Sequence, residues 1–582
     1  MGEQEKLPPR PNGKGREGMK QRGLSAALFM AALALGGCAT MEAAPSVPAA
    51  PTVVTAQGSV RGVSESGLQV FRGIPYAAPP VDKLRWAAPQ PAAGWEAERD
   101  ASAFGPACVQ PPVPAASLYN DPPAATSEDC LTLNVWVPEG ARAAPVIVWI
   151  HGGSLRIGAS SLPMYDSTHY AERGVVFVSL NYRLGPLGWL AHEKLNEETE
   201  ERISGNYGLL DQIAALRWVK DNIAAFGGDP DNVTVMGESA GALSVTYLLA
   251  SPKADGMFHK AIVQSTNLRS FPDLRQARNG LPSAVQTGES LLQKLGAADI
   301  DAARAIDAQD LTNRATMAGF VPQGTIDGVI LPRQLIDIFD AGEQAHVPVL
   351  VGYNAHEYRP EGVPGVSMPA DQAEYDGMIG RIYEDLAPEF LRIYPFAEGA
   401  DALLDATGDG IFGWSAERLA MSQRSINQSS YFYVFDHCYP SAEARDLCAF
   451  HASELPFTFG NLEADALPAR WPVPDGSHDR AISDAMLDYW VSFAATGRPQ
   501  AQGMPAWLPY GSRENYLRFA DRPIAARNYK SGMFELHEAF AKRRRASGDS
   551  WGLLIGPAAA KGGAPGEGSD TAQDKGSRRA RK

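Results

Sequence analysis

VTVMGESAGALSVTYLLA, residues 233–250, is the stretch on which the reading of this chain turns. Residues 233–236 have the apolar, β-branched character of a short strand, and residues 240–250 that of a helix. Between them lies Gly237-Glu238-Ser239-Ala240-Gly241, a G-x-S-x-G. A serine on a sharp turn between strand and helix is lifted clear of the sheet. The helix N-terminus adds partial positive charge where an oxyanion would form. Gly237 and Gly241 leave room for strand and helix to come close. The pattern alone also fits a glycine-rich turn holding an inert serine; the strand–turn–helix setting favours a nucleophile.

A serine that attacks an acyl carbon needs N–H donors for the oxygen that becomes negative. Ala240, next after the serine, offers one. His151-Gly152-Gly153-Ser154 follows directly on the apolar run 146–150 and offers the amides of Gly153 and Ser154. Base and carboxylate are not fixed by spacing. Downstream of Ser239, the candidates for the base include His346, His356, His437, His451 and His537.

Runs 146–150 and 175–180 are apolar without alternation, as strands buried between helix layers are. Leu209, Ile213, Leu216 and Ile223 recur at helical spacing. Short runs at 261–263 and 347–351 continue the strand series, and 431–435 and 516–519 read as late strands. Strands alternating with helices predict an α/β protein with a large, mostly parallel central sheet flanked by helices. Residues 53–76, broken by Gly58, Gly62, Gly67 and Gly73, predict an antiparallel edge. Residues 272–344 and 357–430 predict mostly helical insertions that cap a site. No internal repeat is visible.

The chain carries a formal net charge of −15, which excludes a nucleic-acid partner needing a basic face. Residues 24–35 are apolar but too few to span a bilayer. Lys20 and Arg22 precede them and Gly36, Gly37 and Cys38 follow, the layout of a secretory signal. Leu35-Gly36-Gly37-Cys38 resembles a bacterial lipobox, which implies lipidation at Cys38; plain cleavage nearby is the alternative. Met19 also makes a tidy start by itself. The expected layout is therefore signal 1–38, tether 39–52, one domain 53–548, and a disordered tail 556–582, too poor in apolar residues to fold. The expected location is the bacterial periplasm or outer membrane, with membrane contact only through the lipid. Four cysteines remain, in two local pairs: Cys108 with Cys130 and Cys438 with Cys448. Free thiols are the alternative, and no C-x-x-C spacing suggests a metal.

Longer strings carry a resemblance. FRGIPYAAPP (71–80), SEDCLTLNVW (127–136), NYRLGPLGWL (181–190) and residues 205–241 come first. IDG (326–328), GYNAHE (352–357), FHASELPFTFG (450–460) and DYWVSFAATGRP (488–499) follow. Together they resemble the type-B carboxylesterases, the group of para-nitrobenzyl esterases and cholinesterases, over residues 53–519. The resemblance implies the α/β-hydrolase fold, with helical insertions capping an active-site gorge. It also implies a serine esterase acting on small-molecule carboxylic esters through an acyl-enzyme. Glu357 matches the acid and His451 the base of a catalytic triad with Ser239. Arg85 and Glu128 match a buried structural ion pair, and Cys108 and Cys130 the first disulfide loop. No metal or organic cofactor is implied. Oligomeric state is not legible.

Three positions depart from the family pattern: Ser154 where a third glycine is usual, Leu155 for an aromatic, and Tyr358 for a glycine. If position 154 needs a positive φ, its side chain costs about 1–2 kcal/mol. The 108–130 loop has no tryptophan, and Tyr119 is its one aromatic, so choline esters are not expected as preferred substrates. Arg156, two residues past the oxyanion loop, is expected either to favour esters bearing a carboxylate or to be simply solvated. Rival functions are a non-catalytic adhesion module on the same fold, a lipase, and an esterase for a bulky natural product such as a mycotoxin.

Overall fold

Val146, Ile147, Val148, Trp149 and Ile150 are wholly buried, and so are Val176, Phe177, Val178 and Leu180 beside them. Apolar on both faces, these two runs lie in the middle of a layered structure. The computed structural model describes residues 50–359, 369–396 and 401–552. The signal segment with Cys38, the tether up to residue 49 and the tail 556–582 lie outside the described residues.

Among the described residues, eleven strands make one sheet. In chain order they are β1 (Val63–Glu65), β2 (Leu68–Pro75), β3 (Thr132–Val137), β4 (Ala144–Ile150), β5 (Val176–Leu180) and β6 (Gly228–Glu238). Then come β7 (Lys260–Gln264), β8 (Val349–Asn354), β9 (Ser430–Phe435), β10 (Asn515–Phe519) and β11 (Pro523–Arg527). Across the sheet they run β11-β10-β9-β8-β7-β6-β4-β5-β3-β2-β1. Every pairing from β5 through β10 is parallel. The pairings at the two flanks are antiparallel, including the expected N-terminal edge.

Register decides where the site falls. Gly237 of β6 pairs with Ile150 of β4, and Glu238 with Gln264 of β7. Gln264 pairs with Gly352 of β8, and Asn354 of β8 with Phe435 of β9. The segments that follow these strands therefore leave the sheet along one edge. After β4 the chain crosses to β5 on one side and then to β6 on the other. A crevice opens at such a reversal, at the C-terminal ends of the strands.

Helices cover the sheet. Helix α1 (Tyr207–Asn222) buries Leu209, Ile213 and Leu216, and a 3₁₀ turn that follows it ends at Gly227 with φ 78°. Helix α2 (Ala240–Ala250) is buried on every side, as its uniformly small and apolar sequence requires. Helix α3 (Ser477–Thr496) and helix α4 (Met533–Ala546) complete the layers. The insertions are helical as expected, among them Ala284–Leu295, Gln372–Tyr383 and Trp414–Ser425. A π-helical turn, Asp409–Gly413, leads directly into the last of these.

The expected boundaries need correction. Strand β6 begins at Gly228, not near 233, with a register shift between Gly228 and Val233 where Asp229-Pro230-Asp231 disguises it as a turn. Thr52 pairs with Arg61 in a separate small sheet, so the tether ends before it. Packing continues past 548: Trp551 is buried and its indole donates to the Leu268 carbonyl at 3.0 Å. Both cysteine pairs form disulfides, Cys108–Cys130 and Cys438–Cys448. No helix among the described residues is long and apolar enough to cross a membrane.

Candidate active site

Ser239 caps α2 with φ 55° and ψ −119°, a strained conformation for a residue with a side chain. The turn is held by its backbone, since Ser239 N–H donates to Gln264 O (2.9 Å) and Leu243 N–H to Ser239 O (2.8 Å). The flanking glycines are required by close approach. A Cβ on Gly241 would lie 2.0 Å from Ile150 O, and one on Gly237 would lie 2.4 Å from the Gly241 carbonyl carbon.

His451 Nε2 lies 2.8 Å from Ser239 Oγ, and His451 Nδ1 lies 2.5 Å from Glu357 Oε2. The other Glu357 oxygen accepts from Ser265 Oγ (2.7 Å) and from Asn354 N–H (2.9 Å). Glu357 is buried, whereas its neighbour His356 turns away to Asp405 at 2.8 Å. Of the other histidines considered from sequence, His437 pairs with Asp479, His537 lies beside the Tyr394 hydroxyl, and His346 is exposed. His451 alone among them reaches the serine.

The loop after β4 lies against the nucleophile. A Cβ on Gly152 would touch Glu238 Oε2 at 2.8 Å and Ser239 Cβ at 3.3 Å. Among the described residues, Gly153, Ser154 and Ala240 donate their amides to no other protein group. Gly153 has φ 100°, and Ser154 and Leu155 both have φ 57°, so the position usually held by glycine is left-handed here. Leu155 is buried, while Ser154 and Arg156 are exposed. Arg156 has no carboxylate within ion-pairing reach among the described residues.

Several neighbours were not legible from sequence. Glu238 is buried, with Oε1 3.3 Å from His451 Nε2. Glu454, also buried, accepts from Asn354 Nδ2 (2.6 Å) and Gln264 Nε2 (3.1 Å). Phe412, on the π-helical turn, stacks on the His451 ring at 5.0 Å, and Tyr119 donates its hydroxyl to His451 O at 3.1 Å. Position within the motif could have flagged Glu238. Nothing local marks Phe412 or Ser265.

Burial opposes charge on His451, but the Glu238 and Glu357 carboxylates outweigh it and lift the imidazole to about 10. Burial in turn pushes Glu238 well above the usual carboxylate range. A protonated Glu238 holds no charge against the imidazole, so the two titrate as a pair. Burial, aided by the Glu357 charge, raises Glu454 to about 6. The Arg85–Glu128 pair is two-pronged, at 2.7 and 2.6 Å, and Arg85 also caps the carbonyls of Arg304 and Ile306. Chemically, the arrangement can take a proton from a hydroxyl at Nε2 while a buried carboxylate holds Nδ1–H, beside free amides able to receive an anion.

Fold and site together define an α/β-hydrolase with a serine, an imidazole and a carboxylate in line. The family model described as "Carboxylesterase family" matches residues 49–378 and 392–536. Para-nitrobenzyl esterase of Bacillus subtilis is 35% identical over 82% of this chain and 96% of its own length. Fumonisin B1 esterase of Sphingopyxis macrogoltabida is 36% identical over 80% and 86%. A solved structure of a carboxylesterase from Geobacillus stearothermophilus superposes with a TM-score of 0.70 at 33% identity, covering 83% of this chain and 99% of that one. The chain belongs to the carboxylesterase family and is a carboxylic-ester hydrolase.

Proposed function

We propose that this chain hydrolyses soluble carboxylic esters through an acyl-enzyme on Ser239. His451 Nε2 takes the hydroxyl proton as Oγ bonds to the ester carbon. Glu357 fixes the tautomer and stabilises the imidazolium. The amides of Gly153, Ser154 and Ala240 receive the oxyanion. The alcohol leaves with the proton from His451. Water, deprotonated by the same imidazole, then attacks the acyl carbon, releasing the acid and restoring the hydroxyl.

The single observation that carries this reading is the continuous hydrogen-bonded line from Ser239 Oγ through His451 to Glu357. It also weighs against an adhesion module, which has no use for such a line. The test is hydrolysis of a panel of short-chain and long-chain esters by wild type beside Ser239→Ala. The variant is expected to lose about 10⁴-fold or more in kcat. Equal rates in the two proteins would overturn the reading, and a preference for long-chain emulsions would make the enzyme a lipase instead.

The lipobox-like string ending at Cys38 supports an exported, lipid-anchored protein of the bacterial periplasm or outer membrane. Exposed Arg156, two residues past the oxyanion loop, supports esters bearing carboxylates as substrates.

A further inference from the structure

We propose that His437, His478 and Asp521 form a binding site for a divalent transition-metal ion, zinc foremost, with a structural role. One ligand atom from each lies within 4.8 Å of the others. His437 comes from the segment leaving β9, His478 from the first turn of α3, and Asp521 from the turn between β10 and β11. The pairing of Phe435 in β9 with Phe519 in β10 brings the first and third of these segments side by side, and α3 supplies the second from outside the sheet.

His437 is the fixed member. Its ring is buried and packed by Phe457 at 5.3 Å and Tyr439 at 5.9 Å. Nε2 lies 2.7 Å from Asp479 Oδ1, and the other oxygen of Asp479 accepts from Asp475 N–H at 2.8 Å. A carboxylate so held makes Nε2 the protonated nitrogen and leaves a lone pair on Nδ1. That Nδ1 atom is buried and has no hydrogen-bond partner. A carboxylate behind an imidazole whose other nitrogen is free is the arrangement that orients metal-binding histidines. Asp521 Oδ1 lies 3.9 Å from Nδ1. Zinc bonds of about 2.0–2.2 Å let two ligand atoms stand roughly 3–4 Å apart across one ion. His478 and Asp521 are exposed and free to rotate the remaining distance, leaving a fourth position for water.

Two imidazoles and one carboxylate suit zinc and its neighbours rather than magnesium or calcium, which take oxygen ligands. An ion there would tie the start of the segment that is closed by Cys438–Cys448 and goes on to carry His451. The proposal stands apart from the esterase reading, because none of its three ligands touches Ser239, His451 or Glu357.

The test uses the full chain without a histidine tag, stripped with a chelator and titrated calorimetrically with zinc chloride. Wild type is expected to bind one ion and to unfold at a higher temperature with zinc than without. His478→Ala and Asp521→Ala, both surface changes, are each expected to weaken binding about tenfold or more. His346→Ala, away from the cluster, serves as the control. Cobalt should give the intense visible bands of a tetrahedral site in wild type and not in the double variant. Failure of wild type to bind zinc, or equal binding by the double variant, would overturn the proposal.

Discussion

Glu238 stands between the two roles a carboxylate can play beside a base. Ionised, it holds a proton on His451, since Oε1 lies 3.3 Å from Nε2; neutral, it does not. Hydrolysis needs the unprotonated imidazole, and the imidazole is held above its ordinary range, so activity should rise with pH until His451 is free. Glu238→Gln removes the charge that faces Nε2 and should move the acid limb of kcat/KM downward by about one pH unit or more. An unmoved limb would show that Glu238 is already neutral throughout the working range. Arg156 calls for a different measurement. Arg156→Ala should lower the preference for carboxylate-bearing over neutral esters severalfold and leave kcat on neutral esters unchanged; an unaltered ratio leaves it a solvated side chain. At this scale the nucleophile and its glycines were legible because strand, turn and helix are adjacent in sequence. His451 and Glu357 were not. They meet across 94 residues, and His451 meets Ser239 across 212, distances that leave no local trace; family resemblance supplied them.

The loop between Cys108 and Cys130 shows what an element adds. Its Tyr119 holds the carbonyl of His451, so the covalent closure and the placement of the base belong to one piece of structure. Replacing both cysteines by serine should lower stability by about 3 kcal/mol. Denaturant unfolding checks the stability, and the variant should also lose rate on every ester alike, since no substrate contact is altered. An unchanged midpoint would mean the loop is already ordered by its packing. Cysteine pairing and the doubly buried strands were readable because proximity and apolar runs are local properties. The π-helical turn Asp409–Gly413 was not: one extra residue in a helical turn carries no compositional mark, yet it sets Phe412 against the imidazole. The early start of β6 was hidden by its aspartates and proline, residues that elsewhere make turns.

For the molecule as a whole, a charge of −15 offers no attraction to anionic lipid, so the membrane attachment proposed above would rest on Cys38. Growth with labelled palmitate should mark the wild type and not Cys38→Ser, whose activity should appear in the soluble fraction; equal labelling would remove the anchor. Fold class was readable from the alternation of strands and helices. The His437, His478 and Asp521 cluster was not, because three segments without a common spacing converge only after the sheet has closed. The placement of the hydroxyl, the imidazole and the carboxylate on segments leaving different strands has a consequence in time. A nascent chain possesses the attacking oxygen long before residue 451 has been synthesised, and a fragment severed between them keeps one half of the chemistry. Turnover therefore reports that the strands carrying the three groups have come together, which makes ester cleavage a gauge of folding.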